Sequence, residues 1–181
     1  MKIVDAVLWL RHHPYVVHGD VDAFLSRCER DLRLHSSEDA WRLAKELAEA
    51  RAHEWHERVG YHASEDAVAQ EICPDFAREL RRLEPRLEGR HAEDLLDPGL
   101  WEQIEPEGRA ALRDFARSIA DDARHRAWRE VVRFTRHRGT TLDREGKLRH
   151  GHDWDDLEGY GHVAAHIFEL LASDYDERAG H

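Results

Sequence analysis

Histidines and carboxylates at helical spacing are the residues of this chain whose types could do chemistry. Four of the fifteen histidines fall in one segment near the end of the sequence, namely His150, His152, His162 and His166. Three aspartates stand close to them, between residues 153 and 156. The last two histidines have the spacing HxxxH, which sets both imidazoles on one face of a helix, where they can bind the same divalent ion.

A second group of the same kind stands earlier in the chain. It consists of Glu49, His53, His56 and Glu57. These residues form Glu-to-His and His-to-Glu pairs four positions apart, and helix bundles build di-iron sites from such pairs on facing helices. Together the two groups predict a metal-dependent helical protein with a di-iron or zinc site, of the oxidoreductase or hydrolase class.

The apolar pattern around these residues also supports a plainer interpretation. On a helical wheel, His162 and His166 lie opposite the apolar stripe of their own segment, so they should face solvent. Glu49, His53 and His56 lie at the boundary of an apolar stripe, where a histidine beside a glutamate commonly makes only a surface hydrogen bond. Metal binding is therefore the alternative hypothesis for this chain.

The charge pattern supplies the main hypothesis. Between residues 124 and 150 the chain has nine basic and three acidic residues, a net charge of +6, whereas the remainder carries −17. The residues predicted to contact a partner, which we call the basic strip, are Arg124, Arg126, Trp128, Arg129, Arg133, Phe134, Arg136, Arg138, Lys147 and Arg149. Arginine pairs bidentately with phosphate or carboxylate, and the two aromatic rings could stack on bases.

Four explanations of the basic strip are compatible with the sequence: contact with a nucleic acid, contact with an acidic protein surface, ion pairs with the chain's own carboxylates, or a solvated face without a partner. The net charge of −11 repels polyanions at long range, and no helix-turn-helix, zinc-finger or RNA-binding signature is present. The sequence also has no Walker loop, nucleophile elbow or dinucleotide glycine motif. We therefore predict a non-catalytic interaction or regulatory protein that contacts nucleic acid or an acidic protein through this strip.

The composition predicts a helical protein in a reducing compartment. Charged residues make up 36% and hydrophobic residues 41% of the chain, a balance typical of amphipathic helices. Cys28 and Cys73 lack the CxxC spacing of a cysteine zinc site and do not indicate a disulfide framework. The apolar run over residues 3–10 contains Asp5 and is not followed by a cleavage site, and no stretch approaches the roughly 18 to 20 apolar residues that span a bilayer. A cytoplasmic location without membrane insertion follows.

The apolar periodicity predicts an all-α fold, an irregular multi-helix bundle that forms a single domain over residues 1–181. The predicted helices cover residues 3–12, 21–34, 37–60, 65–83 with a kink or a new start at Pro74, 107 onward, and 154–173. Residues 91–104 should form short turns that pack against the body. A hinge near residues 85–106 could divide the chain into two helical halves.

The long helix that begins near Glu107 changes the phase of its apolar stripe near Arg126. Trp128, Val131 and Val132 start a new stripe, rotated by more than roughly 100° from the first on helical-wheel geometry. Either the helix breaks near residues 124–126, or its second half meets a different surface. Because nothing obvious covers the new stripe, it suggests a homodimer. Residues 140–149 are predicted to form a short hairpin or loop.

Overall fold

The computed structural model describes the backbone of residues 3–57, 65–84, 91–150 and 160–180, and the side chains of residues 3–57, 71–84, 91–141 and 164–180. These residues form α-helices and short turns, without a β-strand, so the all-α prediction is confirmed. The helices are α1 (Ile3–His12), α2 (Val21–His56), α3 (Glu65–Leu83), α4 (Pro98–Trp101), α5 (Arg109–His150) and α6 (Tyr160–Ala179). Single 3₁₀ turns cover Pro14–Val16, Ala92–Leu95 and Pro106–Gly108.

Local sequence signals explain several of the helix ends. The first helix ends at His12, two residues before Pro14, as the restriction that proline places on its predecessor predicts. Asp20 precedes α2, and its Oδ1 accepts a hydrogen bond of 2.7 Å from the backbone N–H of Ala23. Asp97 starts α4 in a similar way, because its Oδ1 accepts from the N–H of Gly99 at 2.7 Å.

The second helix runs without a break from Val21 to His56, so the predicted division into one helix over residues 21–34 and another over 37–60 is wrong. Its buried residues recur at steps of four through this point: Cys28, Leu32, Ser36, Ala40, Ala44, Ala48 and Ala52. Ser36 is fully buried within that stripe. Tertiary burial of one continuous face therefore overrides the tendency of serine to cap a helix.

The fifth helix is also continuous, from Arg109 to His150. The predicted hairpin or loop over residues 140–149 is wrong, and no break occurs at residues 124–126. Two threonines fit the helix by bonding back to it: Thr140 Oγ1 donates to the His137 carbonyl at 2.7 Å and Thr141 Oγ1 to the Arg138 carbonyl at 3.0 Å. Helix α3 likewise continues through Pro74 as one element.

The chain divides into two compact units, and both α2 and α5 contribute residues to each of them. The first unit comprises Met1–Asp39 and Glu88–Ala127. Its core includes Leu10, Phe24, Leu32, Leu95, Ile104 and Leu112. The predicted turns at residues 91–104 supply part of this core, and they are fixed by backbone hydrogen bonds from His18 N to Gln103 O at 2.8 Å and from Glu105 N to Val16 O at 2.7 Å.

The second unit comprises Ala40–Leu87 and Trp128–His181. Its described core is aromatic and includes Trp41, Phe76, Trp128, Phe168 and Tyr175. The new stripe of α5 is buried within the single chain, with Trp128 and Val131 completely inaccessible. The stripe therefore no longer argues for a homodimer, and the oligomeric state stays a prediction.

Two predictions about the whole chain are not tested by this structure. The single domain stays a prediction, and so does the hinge near residues 85–106, where residues 85–90 lie outside the described part. Among the described helices, none has the length and apolar character required to cross a membrane.

Candidate functional site

The first two arginines of the basic strip pair with carboxylates of their own helix. Arg126 contacts Asp122 at 3.2 Å from Nε and 3.0 Å from Nη2. The Arg124 side chain is only 12% exposed and lies 3.8 Å from Asp121. Asp122 is also 3.4 Å from Arg33 on α2. For these two arginines, the explanation by internal ion pairs fits the geometry.

The two aromatic residues of the basic strip are not available for stacking on a partner. Trp128 is 0% exposed, and its Nε1 donates a hydrogen bond of 2.8 Å to the Leu80 carbonyl. Phe134 packs edge-to-face on Trp41, with ring centroids 5.9 Å apart, and the Arg178 guanidinium lies 4.2 Å from its centroid. The predicted partner contact through Trp128 is therefore corrected: this residue belongs to the core of the second unit.

Arg138 is withdrawn from the predicted contact surface by a buried ion pair. Its Nε and Nη2 donate to the two carboxylate oxygens of Asp174 at 2.5 and 3.3 Å, and its Nη1 donates to Thr141 at 2.8 Å. The Arg138 and Asp174 side chains are 9% and 13% exposed. A bidentate pair with so little solvent joins α5 to α6 and leaves the Arg138 guanidinium unavailable for an external contact.

The remaining described arginines of the strip lie on one exposed side of α5 and line a groove with the end of α3. The groove has a volume of about 460 Å³ and is lined by Arg81, Glu84, Arg129, Val132, Arg133, Arg136 and His137. We call the four described arginines of this lining, Arg81, Arg129, Arg133 and Arg136, the arginine face. Within the described part of the chain, Arg81, Arg133 and Arg136 make no hydrogen bond or ion pair.

Arg81 is the residue that the sequence did not identify. It lies in the last turn of α3, far from the basic strip in sequence, and the packing of α3 beside α5 brings it into the groove. A helical periodicity gives the buried face of each helix but not which helix packs against it. Lys147 and Arg149 continue α5, but their side chains lie outside the described residues.

The predicted metal ligands on α2 do not converge on a common point. The Nε2 of His53 lies 3.6 Å from Glu57, and both side chains are more than 70% exposed. Glu49 lies 4.0 Å from Lys45, also on the surface. These are the surface pairs that the plainer interpretation predicts.

Two other predicted ligands, His56 and His166, meet at a carboxylate that the sequence did not single out. His56 Nε2 lies 2.9 Å from Oε1 of Glu169, and His166 Nδ1 lies 3.4 Å from its Oε2. Burial opposes ionisation of Glu169, but the hydrogen bonds and charges of the two histidines outweigh it and lower the pKa of this carboxyl. The Glu169 carboxylate thus bridges the imidazoles of His56 and His166.

No group of three histidine, cysteine or carboxylate side chains is arranged to hold a metal ion within the described residues. The side chains of His150, His152 and His162 lie outside that part of the chain. The two thiols are also poor candidates for chemistry. Cys28 and Cys73 are buried, and desolvation raises the pKa of each to about 12, so neither forms a thiolate at neutral pH.

The described residues thus define an all-α, multi-helix protein with an arginine-lined groove on its second unit. Comparison of the chain with protein-family models, with curated proteins and with solved structures gives no match.

Proposed function

We propose that this protein is a non-catalytic interaction protein that binds an acidic protein segment through the arginine face. The observation that carries the proposal is the lack of internal partners in the groove. Three of the four guanidinium groups of the arginine face have no ion-pair partner within the described residues. Guanidinium groups at a groove favour carboxylate or phosphate ligands, because their planar fork matches both.

The geometry of α5 suits a helical partner. Arg129, Arg133 and Arg136 follow at steps of four and three, so they span about 10 Å along one side of the helix at a rise of about 1.5 Å per residue. A partner helix with carboxylates at positions i, i+4 and i+7 repeats that spacing. Arg81 extends the positive surface sideways onto α3.

Two features make a nucleic acid the weaker candidate. The aromatic rings that would stack on bases are buried or covered, since Trp128 is inside the core and Arg178 lies over Phe134. The net charge of −11 also repels a long polyphosphate chain more strongly than a short acidic segment, because the segment carries fewer charges. An acidic protein segment needs neither base stacking nor a long contact.

A titration with defined anions tests the proposal. The probes are a labelled helical peptide with glutamates at i, i+4 and i+7, its glutamine counterpart, a DNA duplex and a single-stranded DNA, all at low salt. We expect the glutamate peptide to bind more tightly than the other three, with an affinity that falls as salt rises. Tighter binding of either DNA would assign the face to nucleic acid, and no binding of any anion would end the proposal.

A matched pair of variants locates the contact. Arg133→Gln with Arg136→Gln removes two charges from the arginine face, and Arg109→Gln with Arg117→Gln removes two exposed charges elsewhere on α5. We expect the first pair to weaken the glutamate peptide about tenfold and the second to change it little, because two exposed charge contacts contribute about 1 to 2 kcal/mol together. Equal losses would show that only net charge matters.

A further inference from the structure

A separate cavity lies in the second unit, between α2, α3 and α6. Its volume is about 240 Å³, and the described apolar residues of its lining are Trp55, Ile72, Phe76 and Phe168. Phe76 and Phe168 are buried and meet edge-to-face, with their centroids 5.0 Å apart. Three aromatic side chains around one small space provide several ring faces or edges to an occupant.

The rim of this cavity is acidic. In the described part of its lining, four carboxylates, Glu54, Glu71, Asp75 and Glu79, surround one guanidinium, that of Arg51. Arg51 donates to Glu54 at 2.5 Å and also to Glu79, while Asp75 accepts from Arg78. Glu71 is exposed and makes no hydrogen bond or ion pair within the described residues. Counted over the described residues, the cavity mouth therefore keeps a negative charge that arginines do not balance.

Aromatic rings and carboxylates together favour one kind of ligand. A cation gains from the carboxylates and from each ring that turns its negative face to the cavity. An anion would be repelled by the rim, and a neutral apolar molecule would bury the carboxylates without compensation. The volume is below the roughly 300 Å³ of the smallest drug-sized sites, so the occupant should be a single small group.

We propose that this cavity binds a small organic cation, an alkylammonium or alkylguanidinium group of about four carbons. The cationic head lies near Glu71 and the alkyl part lies against Trp55 and Phe76. The site is independent of the arginine face, which uses α5 and the last turn of α3. Its failure in an experiment would leave the proposed anion binding untouched, and the reverse also holds.

Calorimetric titration with three matched small molecules tests the proposal. The probes are butylammonium, butylguanidinium and 1-butanol, which share the alkyl chain and differ in charge. We expect saturable binding of the cations with a Kd in the order of millimolar and at least tenfold weaker binding of 1-butanol. Equal affinity for butanol would show an uncharged apolar cavity, and a lack of saturation by the cations up to about 100 mM, far above that Kd, would show no site. Either result overturns the proposal.

The variant Glu71→Gln tests the rim, and Glu46→Gln is its control. Both glutamates are exposed and neither has a partner within the described residues, so both variants should fold normally. We expect Glu71→Gln to weaken butylguanidinium about three- to tenfold and Glu46→Gln to leave it unchanged. Equal weakening by both would show a general field and overturn the assignment.

A short peptide identifies the source of the cation. Acetyl-Gly-Arg-Gly-amide carries the same guanidinium on a chain, and it should compete with butylguanidinium if the cavity takes an arginine from a partner. Tighter binding of the peptide assigns the cavity to such a side chain, whereas tighter binding of butylguanidinium assigns it to a free cation. Both results support a cation site, and binding of neither overturns it.

Discussion

The arginines of one short stretch of α5 fall into two groups that differ in their partners. Arg138 is buried and forms a bidentate pair with Asp174, whereas Arg133 and Arg136 are exposed at a groove and have no ion-pair partner within the described residues. The three arginines lie within six consecutive positions of the same helix. Charge density along the sequence therefore does not identify the arginines that a partner can contact, because the neighbouring helix determines which arginine is ion-paired.

The largest expected effect comes from breaking the buried pair. Arg138→Met leaves the Asp174 carboxylate almost without solvent and without its cation, so we expect a loss of about 3 to 5 kcal/mol in the free energy of unfolding. Urea denaturation measures it. Arg136→Met is the matched control on the exposed side of α5, and its effect should stay within about 0.5 kcal/mol.

A compensating substitution makes this prediction sharper. Replacing Asp174 by Leu in the Arg138→Met protein removes the orphaned charge and should recover much of the lost stability, because an apolar pair avoids the cost of burying charge. If Arg138→Met and Arg136→Met destabilise equally, the distinction between the two groups of arginines fails.

The sequence predicted the helices better than the contacts between them. The all-α class, the end of α1 before Pro14 and the buried turns at residues 91–104 follow from local periodicity and capping. The continuity of α2 and α5 did not follow, because serine, threonine and glycine favour helix ends locally. In α2 the burial of Ser36 overrides this preference, and in α5 Thr140 and Thr141 bond back to the helix.

The candidate site was predicted only in part, because sequence patterns within one helix do not show contacts between helices. The basic strip of α5 was visible as charge, but its division into paired and unpaired arginines depends on contacts distant in sequence. Asp174 is 36 residues from Arg138, and Arg81 reaches the groove from another helix. No spacing rule within one helix can supply such contacts.

Removing a buried polar group that has no partner should have a smaller effect on stability, and that effect should be a gain. Ser36 Oγ is buried and has no hydrogen-bond partner within the described residues. In contrast to Arg138, its desolvation is not compensated, so Ser36→Ala should raise the free energy of unfolding by about 1 kcal/mol, helped by the higher helix propensity of alanine. Thermal and urea denaturation check the sign. Ser26→Ala, on the exposed side of α2, should show no such gain beyond helix propensity.

The smallest effect concerns the carboxylate between two histidines. The pKa of Glu169 is lowered in the folded protein, so its ionised form contributes stability at pH values above the ordinary carboxyl value of 4.5. That contribution disappears as the pH falls from this value through the lowered pKa. We expect the difference in stability between the native protein and Glu169→Gln to shrink over that window. A difference that stays constant in acid would contradict the pairing with His56 and His166.

The most direct test of the arginine face is a reciprocal exchange of charge. The double variant Arg133→Glu with Arg136→Glu is titrated with the glutamate helix and with the same helix carrying lysines at i, i+4 and i+7. We predict that the native protein prefers the glutamate helix and that the variant prefers the lysine helix, because each pairing then places opposite charges across the groove. An unchanged preference in the variant would show that Arg133 and Arg136 do not contact the partner, and it would contradict the account.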